Sequence, residues 1–245
     1  MRQITAAAVK TDARKKFSAY KKETAKIPRI IEVKENPVLG QLKDILESWE
    51  LDVRLYYTNN GTEAYEQACE LVKNTRCSAG DIERFSIALA ESSNEENDSD
   101  KRGFFLSALI SASEGMDFVI HTIHLPEINY LGFKNEKNIV INGSAGSSVG
   151  KYMKEGKIVV KGNSGRLTGQ HMESGIITIE GDAGYAVGDY MKGGTIVVKG
   201  DTGHNVGYFM EGGEIHTEGA CRSISKYVKG GKIYHKGKLV YQSEG

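Results

Sequence analysis

The chain has 245 residues, 39% of them apolar, and a formal net charge of zero. That length suits one large domain or two small ones. The neutral balance produces no overall field that would favour a nucleic-acid partner. No apolar stretch approaches the roughly 20 residues that a membrane span requires, so we expect neither nucleic acid nor membrane as a partner.

Residues 1–28 form a basic segment, with eight lysines and arginines against two acidic residues. A solvated helix and an arm that binds a partner are both compatible with this composition. The segment lacks the apolar core of a secretory signal. Cys69, Cys77 and Cys221 form no closely spaced pair, which is typical of reduced thiols. We therefore predict a cytoplasmic location.

Residues 29–130 predict a small, mainly helical α/β domain. Ser78 and Asp81 resemble a helix capping box, Leu51 to Tyr57 alternates as a strand, and Met116 to His124 reads as a second strand. Gly115 is the predicted stop of the last helix. The predicted helix faces are Val38, Leu42, Ile45, Leu46 and Trp49; Tyr65, Ala68, Cys69 and Val72; Ile82, Phe85 and Leu89; and Phe104, Phe105, Ala108, Leu109 and Ala112.

A 19-residue repeat fills residues 138–237. Each repeat is counted from its opening glycine, which is position 0, and each opening glycine lies nineteen residues after the last: Gly143, Gly162, Gly181, Gly200 and Gly219. Four complete repeats also share glycine at positions +3, +7 and +13, methionine at +10 and isoleucine at −4. The fifth repeat has lost one residue, and a partial sixth follows with Ile233 and Gly237.

This period predicts one coil of a right-handed parallel β-helix per repeat, over residues 131–245. Helical repeats run to roughly 33–47 residues, and this much glycine would destabilise helices. Positions −4 and −2 are mostly Ile or Val, so each repeat contains a short strand with one buried face. The methionine is expected to fill a corner of the core. The fold class is therefore α+β, with a helical domain followed by the β-helix.

Two columns of charge support stacking in register. Position −1 holds Lys161, Glu180, Lys199, Glu218 and Lys236, and position +11 holds Lys154, Glu173, Lys192, Glu211 and, allowing for the deletion, Lys229. Both columns alternate in sign at every coil. Coils about 4.8 Å apart would turn each column into a ladder of opposite charges, and a slip by one coil would set like charges together.

Position +9 holds a ring in every repeat: Tyr152, His171, Tyr190, Phe209 and, allowing for the deletion, Tyr227. Because the methionine at +10 is expected to point inward, these rings are expected to point outward. They form one stacked column, called the ring column below. The column either stabilises the solenoid itself or is an interface for the N-terminal domain or another subunit.

No group of residues predicts catalysis, a metal site or a cofactor. The glycine pattern of residues 181–188 is not followed by a helix that could hold a phosphate. Asp182 and Asp201 follow opening glycines, but Ser144 and Asn163 take the same position, which favours a polar turn ladder over a calcium site. His121 and His124 lie on opposite faces of a strand. We expect no bound flavin, iron–sulfur cluster or nicotinamide.

The segment VGDYMKGGTIVVKGDTGHNVGYFMEGG resembles the GXGXG β-helix domain. That domain is shared by the β-helix subunit of formylmethanofuran dehydrogenase and the C-terminal part of the glutamate synthase large subunit. The resemblance covers residues 138–237, and it implies a structural element within a larger redox enzyme. The chain begins Met1-Arg2-Gln3, without the catalytic N-terminal cysteine of the amidotransferase. Residues 1–115 also look unrelated to the formylmethanofuran dehydrogenase subunit.

Two functions from different classes follow. The first is a non-catalytic scaffold subunit of a multi-subunit cytoplasmic redox assembly, with other subunits and its own copies as partners. The second is a stand-alone enzyme related to glutamate synthase, with its site in the N-terminal domain or in the cleft between the domains.

Overall fold

The computed structural model of the protein describes residues 37–51, 61–91 and 98–242. The basic segment 1–28 and nearly all of the predicted strand after Leu51 lie outside these ranges. Within these ranges, four α-helices come first: α1 (Pro37–Ser48), α2 (Thr62–Val72), α3 (Ala79–Ala88) and α4 (Asp98–Ala112), with a 3₁₀ turn (Leu89–Glu91) after α3. Eight strands then follow: β1 (Asp117–His121), β2 (Asn138–Asn142), β3 (Lys157–Val160), β4 (Ile176–Ile179), β5 (Thr195–Val198), β6 (Glu214–Thr217), β7 (Lys232–His235) and β8 (Lys238–Gln242).

The helices follow the local signals in the sequence. The capping box at the start of α3 is confirmed, because the Ser78 side chain accepts from the Asp81 amide and the Asp81 side chain accepts from the Ser78 amide. Helix α4 is buried on nearly every side, including Phe104, Phe105 and Leu109, as expected for the central helix of a cluster. It packs against α2 and α3, and α3 packs against β1. Among the described residues, no helix is both long and apolar enough to cross a membrane.

The strands form a parallel β-solenoid of about six turns. All eight strands lie in one sheet in chain order, and β1 to β7 pair in parallel. Ile139 aligns with Ile158 and Ile158 with Ile177, so the 19-residue period of the sequence is the period of the coils. The predicted inward positions −4 and −2 are buried from β2 to β5, and Met153, Met172, Met191 and Met210 are fully buried.

The solenoid begins one coil earlier than the repeat predicts. Strand β1 pairs with β2 in parallel, with Asp117 opposite Asn138. The repeat pattern does not reveal this coil, because the coil is two residues longer than the 19-residue repeat and has Asn135 where later coils have the core methionine. Asn135 is 5% exposed, and its side-chain amide donates to the Lys137 carbonyl at 2.7 Å. The amide is satisfied locally, so a polar residue can take an apolar place.

The glycines at +3 do not form positive-φ turns. Gly184 and Gly203 do not adopt positive φ; the residues at +7 and +13, such as Gly188 and Gly194, do. A Cβ at Gly184 would lie 2.8 Å from the backbone nitrogen of Arg166 in the preceding coil. Position +3 therefore requires glycine because the backbones of adjacent coils approach too closely for a side chain.

The C-terminal end departs from the repeat in two places. Thr202 pairs with Cys221, nineteen residues on, whereas Val206 pairs with Ile224, eighteen residues on, so the deletion in the fifth repeat falls between Cys221 and Ile224. After β7 the chain reverses through Lys236 and Gly237, which both have positive φ. Strand β8 then pairs antiparallel with β7 through an irregular register.

Both charge columns form contacts in the folded chain. Glu180 lies 2.8 Å from the Lys161 ammonium and 3.9 Å from that of Lys199. In the second column Lys229 lies 3.4 Å from Glu211. The hydrogen bond from Lys161 and the positive charges of both lysines lower the pKa of Glu180, as expected for a carboxylate between two cations.

Candidate functional site

The ring column is a continuous stack along one corner of the solenoid. Centroids of successive rings are 4.9 Å apart for Tyr152 and His171, 5.1 Å for His171 and Tyr190, 5.1 Å for Tyr190 and Phe209, and 5.4 Å for Phe209 and Tyr227. The first four rings are half-buried, and Tyr227 is exposed. The rings therefore cover one another's faces and present mainly their edges to the surface.

The backbone beneath the ring column is left-handed. Tyr152, His171, Tyr190 and Phe209 have φ between 51° and 58°, a region that non-glycine residues occupy sparingly. The first three of these residues donate their amides to carbonyls of the next coil, as from His171 to Asp189 at 2.8 Å. Stacking and inter-coil hydrogen bonds thus offset a backbone strain of about 1–3 kcal/mol per residue.

Lysine side chains lie against the rings. The Lys229 ammonium is 5.2 Å from the centroid of Phe209, that of Lys226 is 5.0 Å from Tyr227, and that of Lys151 is 5.5 Å from Tyr152. At the exposed Lys226 and Lys229 each cation–π contact is worth about 0.5–1 kcal/mol. Burial and the nearby charges of Lys151 and Lys192 lower the pKa of His171. The imidazole is therefore harder to protonate than a free histidine side chain.

A polar row, buried at Lys151 and Asp189 and half-buried at Gln170, runs beside the ring column, one position before each ring. Lys151, Gln170 and Asp189 occupy this place in three successive coils. Lys151 is 4% exposed and Asp189 is 5% exposed. Burial lowers the pKa of Lys151 to about 8 and raises that of Asp189.

Gln170 links this row, because its amide donates to Oδ2 of Asp189 at 2.6 Å. The other carboxylate oxygen of Asp189, Oδ1, is buried and has no hydrogen-bond partner among the described residues. A charge left in this state is costly, and the opposite charge of Lys151 partly compensates for it.

A cleft of about 270 Å³ lies between the start of α4 and the solenoid. Asp100 contributes the helix wall, and the floor consists of two residues from each of three successive coils: Asn129 and Tyr130, Ser147 and Ser148, and Arg166 and Leu167. The Asn129 amide donates to Asp100 at 2.6 Å, and its Oδ1 accepts from the Ser147 backbone at 2.6 Å. Burial raises the pKa of Asp100, against the lowering effects of Asn129 and Arg166.

Sequence reasoning missed this cleft for an identifiable reason. Its floor consists of positions +4 and +5, which vary from coil to coil, whereas a repeat is recognised by the positions that recur. Tyr130, Ser148 and Leu167 all have φ near 60°. Their residue types do not predict this left-handed backbone. Positions +4 and +5 share no residue type across the four complete repeats, so the repeat itself carries no signal for the cleft.

The polar turn ladder is confirmed at position +1. The backbone amide of Asn163 donates to the Ser144 hydroxyl at 3.0 Å. In the next two coils the backbone amide of Asp182 donates to Asn163 Oδ1 at 2.8 Å, and that of Asp201 donates to Asp182 Oδ1 at 2.7 Å. Each side chain thus satisfies the backbone of the next coil. Asp182 and Asp201 serve this ladder and are accounted for by it.

The histidines and cysteines lie apart from the cleft floor. His121 contacts Glu83 of α3 at 2.9 Å, and its amide donates to the Ser86 hydroxyl at 2.9 Å, so it ties α3 to β1. His124 is exposed. In the described ranges, no three His, Cys, Asp or Glu residues are grouped so that they could hold a metal ion. Cys69, Cys77 and Cys221 are unbridged thiols.

Fold and site together define a helix-capped parallel β-solenoid with a ring column and a polar cleft. Comparison of the chain with protein-family models, curated proteins and solved structures finds no match. The resemblance to the GXGXG domain therefore stays a prediction that rests on the repeat residues themselves.

Proposed function

We propose that this chain is a structural subunit of a larger assembly, similar in role to the β-helix subunit of formylmethanofuran dehydrogenase, and that the ring column is its docking surface. One observation carries the proposal: five stacked rings extend along the solenoid, and the last of them, Tyr227, is 46% exposed. Aromatic anchors of this kind dominate binding energy in protein interfaces. The partners are other protein subunits and further copies of this chain, in the cytoplasm.

The ring column is also anchored at its other end, which makes it a rigid platform. Phe133 of the first coil lies 5.6 Å from Tyr152, and Tyr65 of α2 lies 5.1 Å from Phe133. Ring contacts thus continue from Tyr65 in α2, through Phe133 of the first coil, into the ring column. A preorganised surface loses little conformational entropy on binding, which favours docking on the column.

A triple variant tests this proposal. Tyr152, Tyr190 and Phe209 would each be replaced by Asn, which tolerates positive φ. Size-exclusion chromatography with light scattering should show a lower assembly mass than for the wild type, with unchanged circular dichroism. The control replaces Ile176 and Tyr185, which are 45% and 46% exposed outside the column, and should keep the native mass. A triple variant that retains its mass and its co-purifying subunits would restrict the column to a structural role.

The second candidate is a stand-alone enzyme with its site in the cleft beside α4. The observation in its favour is that Asp100 from the helices and Arg166 from the solenoid line one cavity. Incubation of the purified chain with glutamine or formamide, followed by NMR, tests it. Turnover that Asp100→Asn abolishes would support this candidate, and no turnover would reject it for these substrates.

A further inference from the structure

We propose that the cleft between α4 and the first three coils binds a small zwitterion, a molecule with an ammonium and a carboxylate group close together, as in an α-amino acid. Two opposite charges, Asp100 and Arg166, line this cavity. The inference shares its location with the second candidate function, but it concerns binding alone and does not depend on turnover.

Arg166 provides the end of the cleft that suits a carboxylate. Its side chain is exposed, and among the described residues no ion pair joins it to an acidic group. A guanidinium group matches a carboxylate with two parallel hydrogen bonds. The hydroxyls of Ser147 and Ser148 line the same floor one coil earlier and can donate to the same anion.

Asp100 provides the end that suits an ammonium group. One carboxylate oxygen, Oδ1, accepts from Asn129 at 2.6 Å, and within the described ranges Oδ2 accepts no hydrogen bond. Asn129 is itself held by the Ser147 amide, so the carboxylate is fixed in place. Because the side chain is partly removed from water, a bound cation would stabilise its charged form.

The two charges are near enough to influence each other but do not meet. Arg166 lowers the pKa of Asp100, yet in the described part of the chain no ion pair within 4.0 Å joins them. A monovalent ion would satisfy one charge and leave the other facing the cavity. A zwitterion satisfies both at once, and each charged hydrogen bond is worth about tenfold or more in affinity.

The size and the walls of the cleft limit the ligand further. Its volume of about 270 Å³ is just below the roughly 300–1,000 Å³ typical of pockets for drug-sized ligands, so the ligand is small. Tyr130 and Leu167 offer apolar contact for a side chain.

The floor of the cleft is rigid, which favours binding. The amides of Tyr130, Ser148 and Leu167 donate to carbonyls of the following coil at 2.9, 2.8 and 2.8 Å. A site built on such a lattice is preorganised and loses little entropy when the ligand binds.

Ligand-observed saturation-transfer NMR on the full chain tests the inference, with each of the twenty common L-α-amino acids as the probe. We expect at least one to bind. Its amine without the carboxylate, and its acid without the ammonium, should each bind at least about tenfold more weakly, since tenfold corresponds to one charged contact of about 1.4 kcal/mol.

Asp100→Asn and Arg166→Gln should each weaken that binding by a similar factor. The matched controls are Asp201→Asn, at a ladder position where Asn163 already makes the same bond two repeats earlier, and exposed Arg222→Gln in the fifth repeat; both should bind as the wild type does. No amino acid binding below about 10 mM, or binding that survives both cleft variants, would overturn the inference. Binding without turnover would support it and reject the enzyme candidate for the amino acid that binds.

Discussion

The ring of Tyr152 lies almost parallel to the imidazole of His171 one coil further on, with 5° between the planes and 4.9 Å between the centroids. Both residues have positive φ, so each coil repeats the same left-handed corner. Stacking at this corner holds a titratable ring between two aromatic neighbours. The ring column is therefore sensitive to pH at one position.

We predict that His171 makes the fold less stable at mildly acidic pH. Burial and the charges of Lys151 and Lys192 lower its pKa in the folded state. Well above about pH 6.5 the imidazole is neutral in both states. Below that pH the unfolded chain takes up a proton that the folded chain resists, so stability falls as the pH drops.

Urea unfolding of the wild type and His171→Phe at about pH 7.5 and about pH 5.5 measures this effect. Phenylalanine keeps a ring in the column, as Phe209 does. The stability of the wild type relative to this variant should decrease towards pH 5.5. An equal loss in both proteins would show that other groups cause the acid sensitivity.

The close approach of adjacent coils at position +3 predicts a sharp contrast between glycines. Gly184→Val and Gly203→Val should each lower the free energy of unfolding by more than about 1 kcal/mol, because the new Cβ would meet backbone atoms within 2.8 Å. Gly40→Ala in α1 should raise it by about 0.5–1 kcal/mol, since a Cβ there meets nothing within 4 Å. Thermal denaturation measures these effects. Ala220→Val should lower the free energy of unfolding by less than the two glycine-to-valine changes do. A Gly184→Val protein as stable as the wild type would contradict this close approach of the coils.

The charge column at position −1 predicts a salt-dependent penalty. Glu180→Lys would place a third cation between Lys161 and Lys199, which now lie 2.8 and 3.9 Å from the carboxylate. The loss of stability should be larger at about 0.01 M salt than at about 1 M, because salt screens exposed charges. Glu155→Lys, at an exposed site outside both columns, serves as the control. A penalty for Glu180→Lys that ionic strength does not change would exclude the ladder as its cause.

The C-terminal hairpin predicts the behaviour of a truncation. Strand β8 covers the edge of β7, and its irregular register with β7 makes it a poor template for a further strand. Removal of residues 232–245 should expose the β6 edge and produce aggregates, visible by light scattering. Substitution of the exposed Leu239 and Val240 by Thr should leave the protein dispersed. If the truncated chain stays monodisperse without a partner, the hairpin is not a required cap.

The repeat could be predicted in detail because parallel stacking in register converts a sequence period directly into contacts between coils. Ile139, Ile158 and Ile177 align in the sheet because nothing but the 19-residue spacing is needed to place them together. The same holds for the methionines of the core and the turn ladder from Ser144 to Asp201. The ring column follows from the same rule.

Features without a period could not be predicted in this way. The first coil lacks the repeated methionine and has Asn135 in its place, and hydrogen bonds that its neighbours provide make this possible. The left-handed backbone at Tyr152 is set by bonds to the next coil, since tyrosine has no intrinsic preference for it. The reason for glycine at position 184 is likewise a distance between two coils.

The sequence alone predicts the solenoid period, the buried and exposed positions of each coil, the order of the helices and the alternating charges. These features depend on spacing along the chain. Only the tertiary structure decided where the solenoid starts, which glycines are required by contact, and that Asp100 of α4 and Arg166 line one cleft. Those relationships join residues far apart in the chain, and they arise from how the helices pack against the first coils, which no local pattern encodes.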